Sequence, residues 1–357
     1  PDPARRRRLG AGLLADVSPL REHPSFRRLW VGETVSSLGS QITATTVLLQ
    51  VFAITGSSWQ VGLVGVVGLV PLVVGGLFGG AVVDAVDRRR LAMITSTLLA
   101  VVSALFLLLS ATGAVDTVAW PLFCLIAVQS ALLAVDQPAR RAMAPNLVPP
   151  ESLPAASALS QIGGMAAAVG GPLIASLALT LGGFSVAYAV DLATFAAPLY
   201  GLARLPAMPP LGGGRVAGVA SVVEGLRFLR GQPVLLMTFV VDIIAMVFGM
   251  PRALFPELAE TRFGGGSATA GVMYSAVAVG SLLAAGLSRP LGGLGRQGLA
   301  VVVSIALWGG AIAAFGLVHD IVLGAALLAV AGAARPAPRT SFRRPSAELF
   351  PTISNVK

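Results

Sequence analysis

Long apolar runs alternate with short polar connections along this chain, and the connections sort by charge. The tightest follows Gly79-Gly80-Ala81-Val82-Val83, where Asp84-Ala85-Val86-Asp87-Arg88-Arg89-Arg90 separates two apolar runs. A charge cluster this compact between greasy segments predicts a membrane hairpin on the positive side of a bilayer. Crossing a bilayer takes about 20 mainly apolar residues. Ten segments reach or approach that length: Leu29–Thr55, Val61–Val83, Leu91–Thr112, Val118–Ala134, Leu153–Leu181, Phe184–Leu202, Val234–Leu254, Ala268–Leu287, Gly298–Val318 and Ile321–Ala334. The fourth and tenth are the shortest. Pro71, Pro172 and Pro198 fall inside spans; lipid-embedded helices tolerate them because neighbours satisfy the freed backbone groups. The pattern predicts an all-α polytopic membrane protein.

The connections fix its orientation. One set carries Arg5 to Arg8, Arg27-Arg28, Arg88 to Arg90, Arg140-Arg141, Arg204, Arg215, Arg227, Arg230, Arg289, Arg296 and the run from Arg335 to Arg344. The alternate set is Gly56–Gln60, Gly113–Thr117, Gly182–Gly183, Pro256–Ser267 and His319-Asp320, with Arg252 and Arg262 its basic residues. By the positive-inside rule both termini are cytoplasmic, and the chain is a multi-pass protein of the plasma membrane.

A domain plan follows. Residues 1–28 form an Arg-rich cytoplasmic tail, and 29–202 a six-helix half. Residues 203–233 form a linker that opens with prolines and Gly212–Gly214. In it Val219, Val222, Val223, Leu226 and Leu229 recur at helical spacing, opposite Ser221, Glu224, Arg227 and Arg230. That is either an interfacial helix on the membrane surface or a disordered linker. Residues 234–334 hold four more spans, and 335–357 form a polar tail. The two halves align weakly: Phe26 to Gly39 on Pro233 to Gly249, Val61-Gly62-Leu63 on Ala270-Gly271-Val272, and Arg88 near Arg296. A six-span unit repeated in tandem is a transporter architecture. On that plan 10 transmembrane helices are present of an expected 12, and the chain reads as truncated or frameshifted near Ala334.

Composition agrees and removes other classes. The chain has 357 residues, 55% hydrophobic and 11% charged, with mean hydropathy +0.83, where soluble domains carry about 25% charged residues. The net charge of +9 does not signal nucleic acid, because the arginines lie between apolar segments with no continuous basic face. Cys124 is the single cysteine; it forms no intrachain disulfide and reads as a small apolar packing residue. His23 and His319 lie apart from it, which argues against zinc. No Gly-x-x-x-x-Gly-Lys-Ser/Thr loop provides ATP drive, and no catalytic constellation suggests an enzyme or a cofactor.

Three stretches carry a resemblance. Gly80-x-x-x-Asp84-x-x-Asp87-Arg88-Arg89 resembles the loop signature between helices two and three of the major facilitator superfamily, with Ala85 and Asp87 in place of its usual Arg and Gly. Asp136-Gln137-Pro138-Ala139-Arg140-Arg141, Leu147-Val148-Pro149 and Leu153-Pro154-Ala155 resemble the loop after helix four in the bacterial drug, macrolide and siderophore exporters of that superfamily. Ala167-x-x-x-Gly171-Pro172 resembles the antiporter motif of helix five, with Ala175-Ser176 replacing its closing glycines. The resemblance spans about Phe26 to Ala334. It implies a monomeric exporter of small amphipathic molecules, working by alternating access and coupled to protons. The rival reading is a non-transporting, truncated relic of the fold.

The resemblance also implies a cytoplasmic gate built from Gly80, Asp84, Arg88, Arg89, Asp136 and Arg140. Arg88 or Arg89 would pair with Asp136; otherwise the arginines only set topology. Gly171 and Pro172 either shape the interface between halves or form a packing kink. Ionisable groups at membrane depth are the remaining candidates. Asp242, eight residues into the seventh span, is the first choice for coupling. Glu33 follows, with Ser36, Ser37, Ser40, Gln41 and Thr43 beyond it along one side of a cavity. Asp191 either lines the path or bonds structurally between helices. Gln50, Gln129 and Gln161 are weaker candidates. The fourth span carries no Arg within Leu122 to Gln129, which weakens a simple proton-antiport reading.

Overall fold

The computed structural model describes residues 16–208, 227–228, 230–233, 236–237, 240, 251–287 and 297–334. The described part is helical. A short turn of helix over Ser18–Glu22 leads to α1 (Pro24–Thr55), α2 (Ser58–Ala85), α3 (Arg88–Ala111), α4 (Trp120–Met143), α5 (Leu153–Thr194) and α6 (Ala196–Ala203). Beyond the linker come α7 (Phe255–Thr261), α8 (Gly266–Leu287), α9 (Gln297–Phe315) and α10 (Ile321–Ala334). Six described helices are long and apolar enough to cross a membrane, and two shorter apolar stretches lie at Val302–Phe315 and Ile321–Ala334.

Each boundary has a local cause. Pro24 opens α1, where its missing N–H costs nothing, and Gly56 closes it in the left-handed conformation at φ 59°. Asp87 caps α3: its carboxylate accepts the Arg90 backbone N–H at 3.0 Å. The helix α5 is two limbs. Gly182 and Gly183 leave helical geometry, the latter at φ 74°. Chain reversal there is required by α1, because Gln41 packs against Gly171 while Thr43 bonds Asp191. Residues 171 and 191 would lie about 30 Å apart on one straight helix.

Small residues set the helix spacing. A Cβ on Gly75 would reach Ala134 Cβ at 2.6 Å, and one on Gly68 would reach Ser130 Oγ at 3.0 Å, so α2 lies close on α4. A Cβ on Gly32 would sit 2.8 Å from Pro198 Cα, which locks α1 on α6. Side chains at Gly280 and Gly332 would overlap the carbonyls of Ala329 and Val277, the close backbone approach by which α8 and α10 pack. By contrast Leu63, Val66, Leu69, Val70 and Val73 of α2 are exposed, as suits a helix whose outer side meets lipid.

Three expectations need correction. The fourth span does not stop at Ala134; α4 runs on to Met143 and carries Asp136 and Arg140 inside it. The connection expected at Pro256–Ser267 contains α7, preceded by a tight turn at Arg252–Leu254. Cys124 is exposed rather than packed; lipid tails are as apolar as a protein core, so nothing forces it inward. The linker helix and most of Val234–Leu254 lie outside the described residues.

Candidate functional site

The ends of α1 and α3 that begin at Pro24 and Arg88, together with the end of α4 at Met143, define the basic end; the opposite end is the far end. Four features converge on the described helices: a buried ion pair at the basic end, a capped basic hairpin, a polar ladder in the middle, and a joint between α5 and α8.

The ion pair is Arg140–Asp136. Four residues apart on one helix, they face the same way. Arg140 Nε donates to Asp136 Oδ2 at 2.6 Å, and both residues are 4% exposed. The helix α3 completes the shell: Thr95 Oγ1 donates to Asp136 Oδ1 at 2.5 Å, and Arg140 Nη2 donates to Ser96 Oγ at 2.7 Å. Arg140 Nη1 is buried without a partner among the described residues.

The hairpin arginines go elsewhere. Arg88 Nη1 donates to the Ala142 carbonyl at 3.2 Å, and Arg89 donates to the Leu202 and Ala203 carbonyls, each at 2.8 Å. They cap the C-terminal ends of α4 and α6, where carbonyls lack helical partners and cations are favoured. The expected pairing of Arg88 or Arg89 with Asp136 is therefore replaced by Arg140, which reaches that carboxylate from one turn away. Asp87, which departs from the family signature, takes part: besides capping α3 it accepts the Met208 N–H at 3.0 Å and ties the hairpin to the chain after α6. An acid just before an apolar run is the sequence signal for such a cap. The side chains of Gly80 and Asp84 lie outside the described residues, as does all of Asp242.

The polar ladder joins α1, α3 and the second limb of α5. Asp191, wholly buried, accepts Thr43 Oγ1 and Ser103 Oγ on Oδ2, each at 2.6 Å. Two turns farther along α1 and α3 toward the far end, Tyr188 donates to Gln50 Oε1 at 2.7 Å, and Gln50 Nε2 donates to Ser110 Oγ at 2.8 Å. The rungs repeat seven residues apart on both α1 and α3, so each takes one residue from each helix. Asp191 Oδ1 has no partner among the described residues, and a Cβ on Gly39 would overlap it and the Thr194 hydroxyl. This is the interhelical hydrogen-bonding arrangement, one of the two open for Asp191. Sequence reasoning missed Ser103, Ser110 and Tyr188; the signal for the serines was their heptad spacing inside an apolar span, and for Tyr188 its place three residues from Asp191.

Glu33 and Ser37 are half-buried and Gln41 is exposed along one side of α1, at four-residue spacing. Thr43 has turned away to Asp191, Gln129 is buried, and Gln161 is exposed.

The joint involves Gly171 and Pro172, both buried. A Cβ on Gly171 would overlap Gln41 of α1, and one on Gly271 of α8 would lie 2.9 Å from the Pro172 carbonyl. Two serines flank this approach with opposite polarity. Ser176 donates to the Ser267 carbonyl at 2.8 Å, and Ser275 donates to the Val169 carbonyl at 2.9 Å. At the far end Ser58 donates to Glu257 of α7. Leu49 packs into a cluster with Phe255, Met273, Tyr274 and Phe315. A pocket of about 180 Å³ remains there, walled by Leu49, Phe52, Leu179, Phe184 and Pro256, with Glu260 beside it. Among the described residues no cluster of three or more His, Cys, Asp or Glu side chains offers a metal site.

A family described as transmembrane secretion effector matches residues 14–348. Over 325 residues the chain is 27% identical to the enterobactin exporter EntS of Shigella dysenteriae serotype 1, covering 89% of this chain and 76% of that protein. The enterobactin exporter EntS of Shigella boydii serotype 18 is 28% identical over the same coverage. Among solved structures, a D-xylose-proton symporter aligns with TM-score 0.65 at 14% identity, covering 87% of this chain and 78% of that one. The nucleoside transporter NupG aligns with TM-score 0.62 at 15% identity, covering 87% and 79%. These two identities are low enough that the likeness carries the fold alone. The family match covers nearly the whole chain, and it makes the protein a membrane transporter and not an enzyme: it belongs to the transmembrane secretion effector family of the major facilitator superfamily.

Proposed function

We propose that this protein is a secondary active exporter that moves small amphipathic molecules out of the cell by alternating access, driven by protons. The observation that carries the reading is the joint between α5 and α8. Two serine-to-carbonyl bonds of opposite polarity, 2.8 and 2.9 Å long, bracket the close approach at Gly171-Pro172 and Gly271. Such a joint resists separation of the helices yet leaves the ends beyond it free to splay. The contacts of α1 and α2 with α7 and α8 gather at the far end. Glu33 and Ser37 are half-buried and Gln41 is exposed, on the part of α1 between the basic end and the joint. On this reading the unit at 29–202 and the unit at 234–334 rock about the joint, in the manner of repeat-built transporters. The basic end is cytoplasmic, the membrane is the plasma membrane, and the working unit is a monomer.

Asp242 and Glu33 are the coupling carboxylates of the proposal. Gln41 lines the path, and Asp191 supports it from behind α1. The relatives named enterobactin exporters make enterobactin the first compound to test, beside an amphipathic fluorescent dye. The purified chain in proteoliposomes with an imposed pH gradient is expected to move one of them, and a protonophore is expected to abolish the flux. Glu33→Gln and Asp242→Asn each reduce it about a hundredfold or more, the low end of what a positioned acid–base group contributes. Flux equal to that of protein-free liposomes, or indifferent to the gradient, overturns the proposal.

A further inference from the structure

Leu29 of α1, Ala92 of α3 and Met143 of α4 pack in one cluster near the basic end. Since α1 and α3 run away from that end and α4 runs toward it, the next layer inward is found by counting. It lies four residues on along α1 and α3 and three back along α4. Those positions are Glu33, Ser96 and Arg140, about 6 Å deeper. Arg140 and Ser96 already bond at 2.7 Å in that layer. Glu33 makes no hydrogen bond among the described residues, and Arg140 Nη1 is buried without a partner there. A donor and an acceptor therefore share one layer, each unused.

We infer that Glu33 is the alternate carboxylate for Arg140: when ionised it takes the Nη1 N–H and ties α1 to α4, and when protonated it leaves Arg140 to Asp136 alone. The proton passes between the Glu33 carboxylate and water, and no other bond is made or broken. The charges that act on Glu33 are Arg140, Arg141 and Asp136, all from α4. On α3 the facing group is the neutral Ser96, and the first limb of α5 carries no ionisable residue. Arg27 and Arg28 stand on α1 itself, more than one turn toward the basic end. The guanidinium suits this role because it can serve two carboxylates at once through separate N–H groups. The inference rests on the proposed proton coupling through Glu33 and gives it a mechanical output, a helix-to-helix tie.

The test is a double-mutant cycle on the purified full chain, read as Tm in detergent at about pH 8 and about pH 3, above and below the ordinary carboxylate values near 4. Arg140→Gln leaves Glu33 and Asp136 facing each other without their shared cation, so Tm falls at about pH 8. Adding Glu33→Gln restores a good part of that loss at about pH 8 and none at about pH 3, where carboxylates are protonated. Should Arg140→Gln fail to accumulate, Arg140→Lys replaces it; it keeps the charge and loses the fork, so Glu33→Gln costs less Tm at about pH 8 in the Lys background than in the wild-type one. Equal effects of Glu33→Gln in both backgrounds at both pH values overturn the inference. Because the readout is stability, a chain that moves no substrate can still show the coupling, and a working exporter can still lack it.

Discussion

Two buried carboxylates in the first six spans solve the same problem differently. Asp136 and Asp191 are 4% and 0% exposed. Asp136 has both oxygens engaged, one by the Arg140 guanidinium and one by Thr95. Asp191 has two hydroxyls on one oxygen, nothing on the other, and no arginine within bonding distance among the described residues. The first is a charge pair contained within one helix and walled by a second. The second is a staple made of neutral donors, and it spans three helices. Depth in the membrane thus does not decide what an acid does; the chemistry of its partners does. A paired charge is vulnerable to the loss of one partner, whereas a staple is vulnerable to anything that forces its helices apart.

The largest expected effect breaks the pair. Arg140→Gln strands a buried carboxylate and costs about 3–5 kcal/mol, read as a steep fall in Tm or in the folded fraction recovered. Replacing both members by apolar residues, Asp136→Leu with Arg140→Met, recovers most of it, because no charge is then left buried. A wild-type melt for Arg140→Gln would mean that water reaches Asp136, and the contrast between the two acids would collapse.

Next comes the staple. Gly39→Ala places a methyl where the Asp191 carboxylate and the Thr194 hydroxyl lie. The overpacking costs about 1–3 kcal/mol, measured by the same melt, while Ser40→Ala beside it changes little. Equal effects at the two positions would show that α1 can shift away from the second limb of α5, and that Asp191 holds less than its burial implies.

How much of this was legible beforehand can be judged at the same residues. Where the described helices are long and apolar enough to cross a membrane, the spans were legible, because a run of some 20 apolar residues has few alternatives to a membrane helix. The end of α4 was not. Asp136, Arg140 and Arg141 read as a polar connection, since a hydropathy scan counts charges singly. It cannot register that Asp136 and Arg140, four residues apart, neutralise each other on one helical face. The partner of Asp136 was mistaken for the same reason: Arg88 and Arg89 lay at a plausible loop distance, whereas α3 begins with a cap that turns them toward helix ends. Asp191 was found as a buried acid, but its donors on two other helices depend on the reversal at Gly182-Gly183 and on how α1 packs. No local pattern encodes either.

A smaller prediction separates the two hydroxyls on Asp191. Thr43→Val and Ser103→Ala each cost about 0.6–1.7 kcal/mol, the span measured for interhelical polar bonds in membrane proteins. Both donate to the same oxygen, so either alone leaves it satisfied. The double variant should lose more than the sum of the singles. Strict additivity in a double-mutant cycle would indicate that each hydroxyl acts on its own helix and not through the shared carboxylate.

The smallest effect is expected at the basic hairpin, and it bears on whether that hairpin is a gate. Arg89 is half-exposed, and it caps carbonyls at the end of α6 rather than a buried charge. In Arg89→Gln, water can reach those carbonyls, so the loss is about 0.3 kcal/mol, the low end for a cation at a helix C-terminus. A cap and a gate then differ in what else changes. If Arg89 only caps, Tm and flux in proteoliposomes shift together and slightly. If the hairpin also holds one end of the protein closed, flux or its pH profile changes well beyond the small loss in Tm, because one of two states has been weakened without unfolding either. That split, set beside the large loss in Tm expected at Arg140, would place the gate at the hairpin.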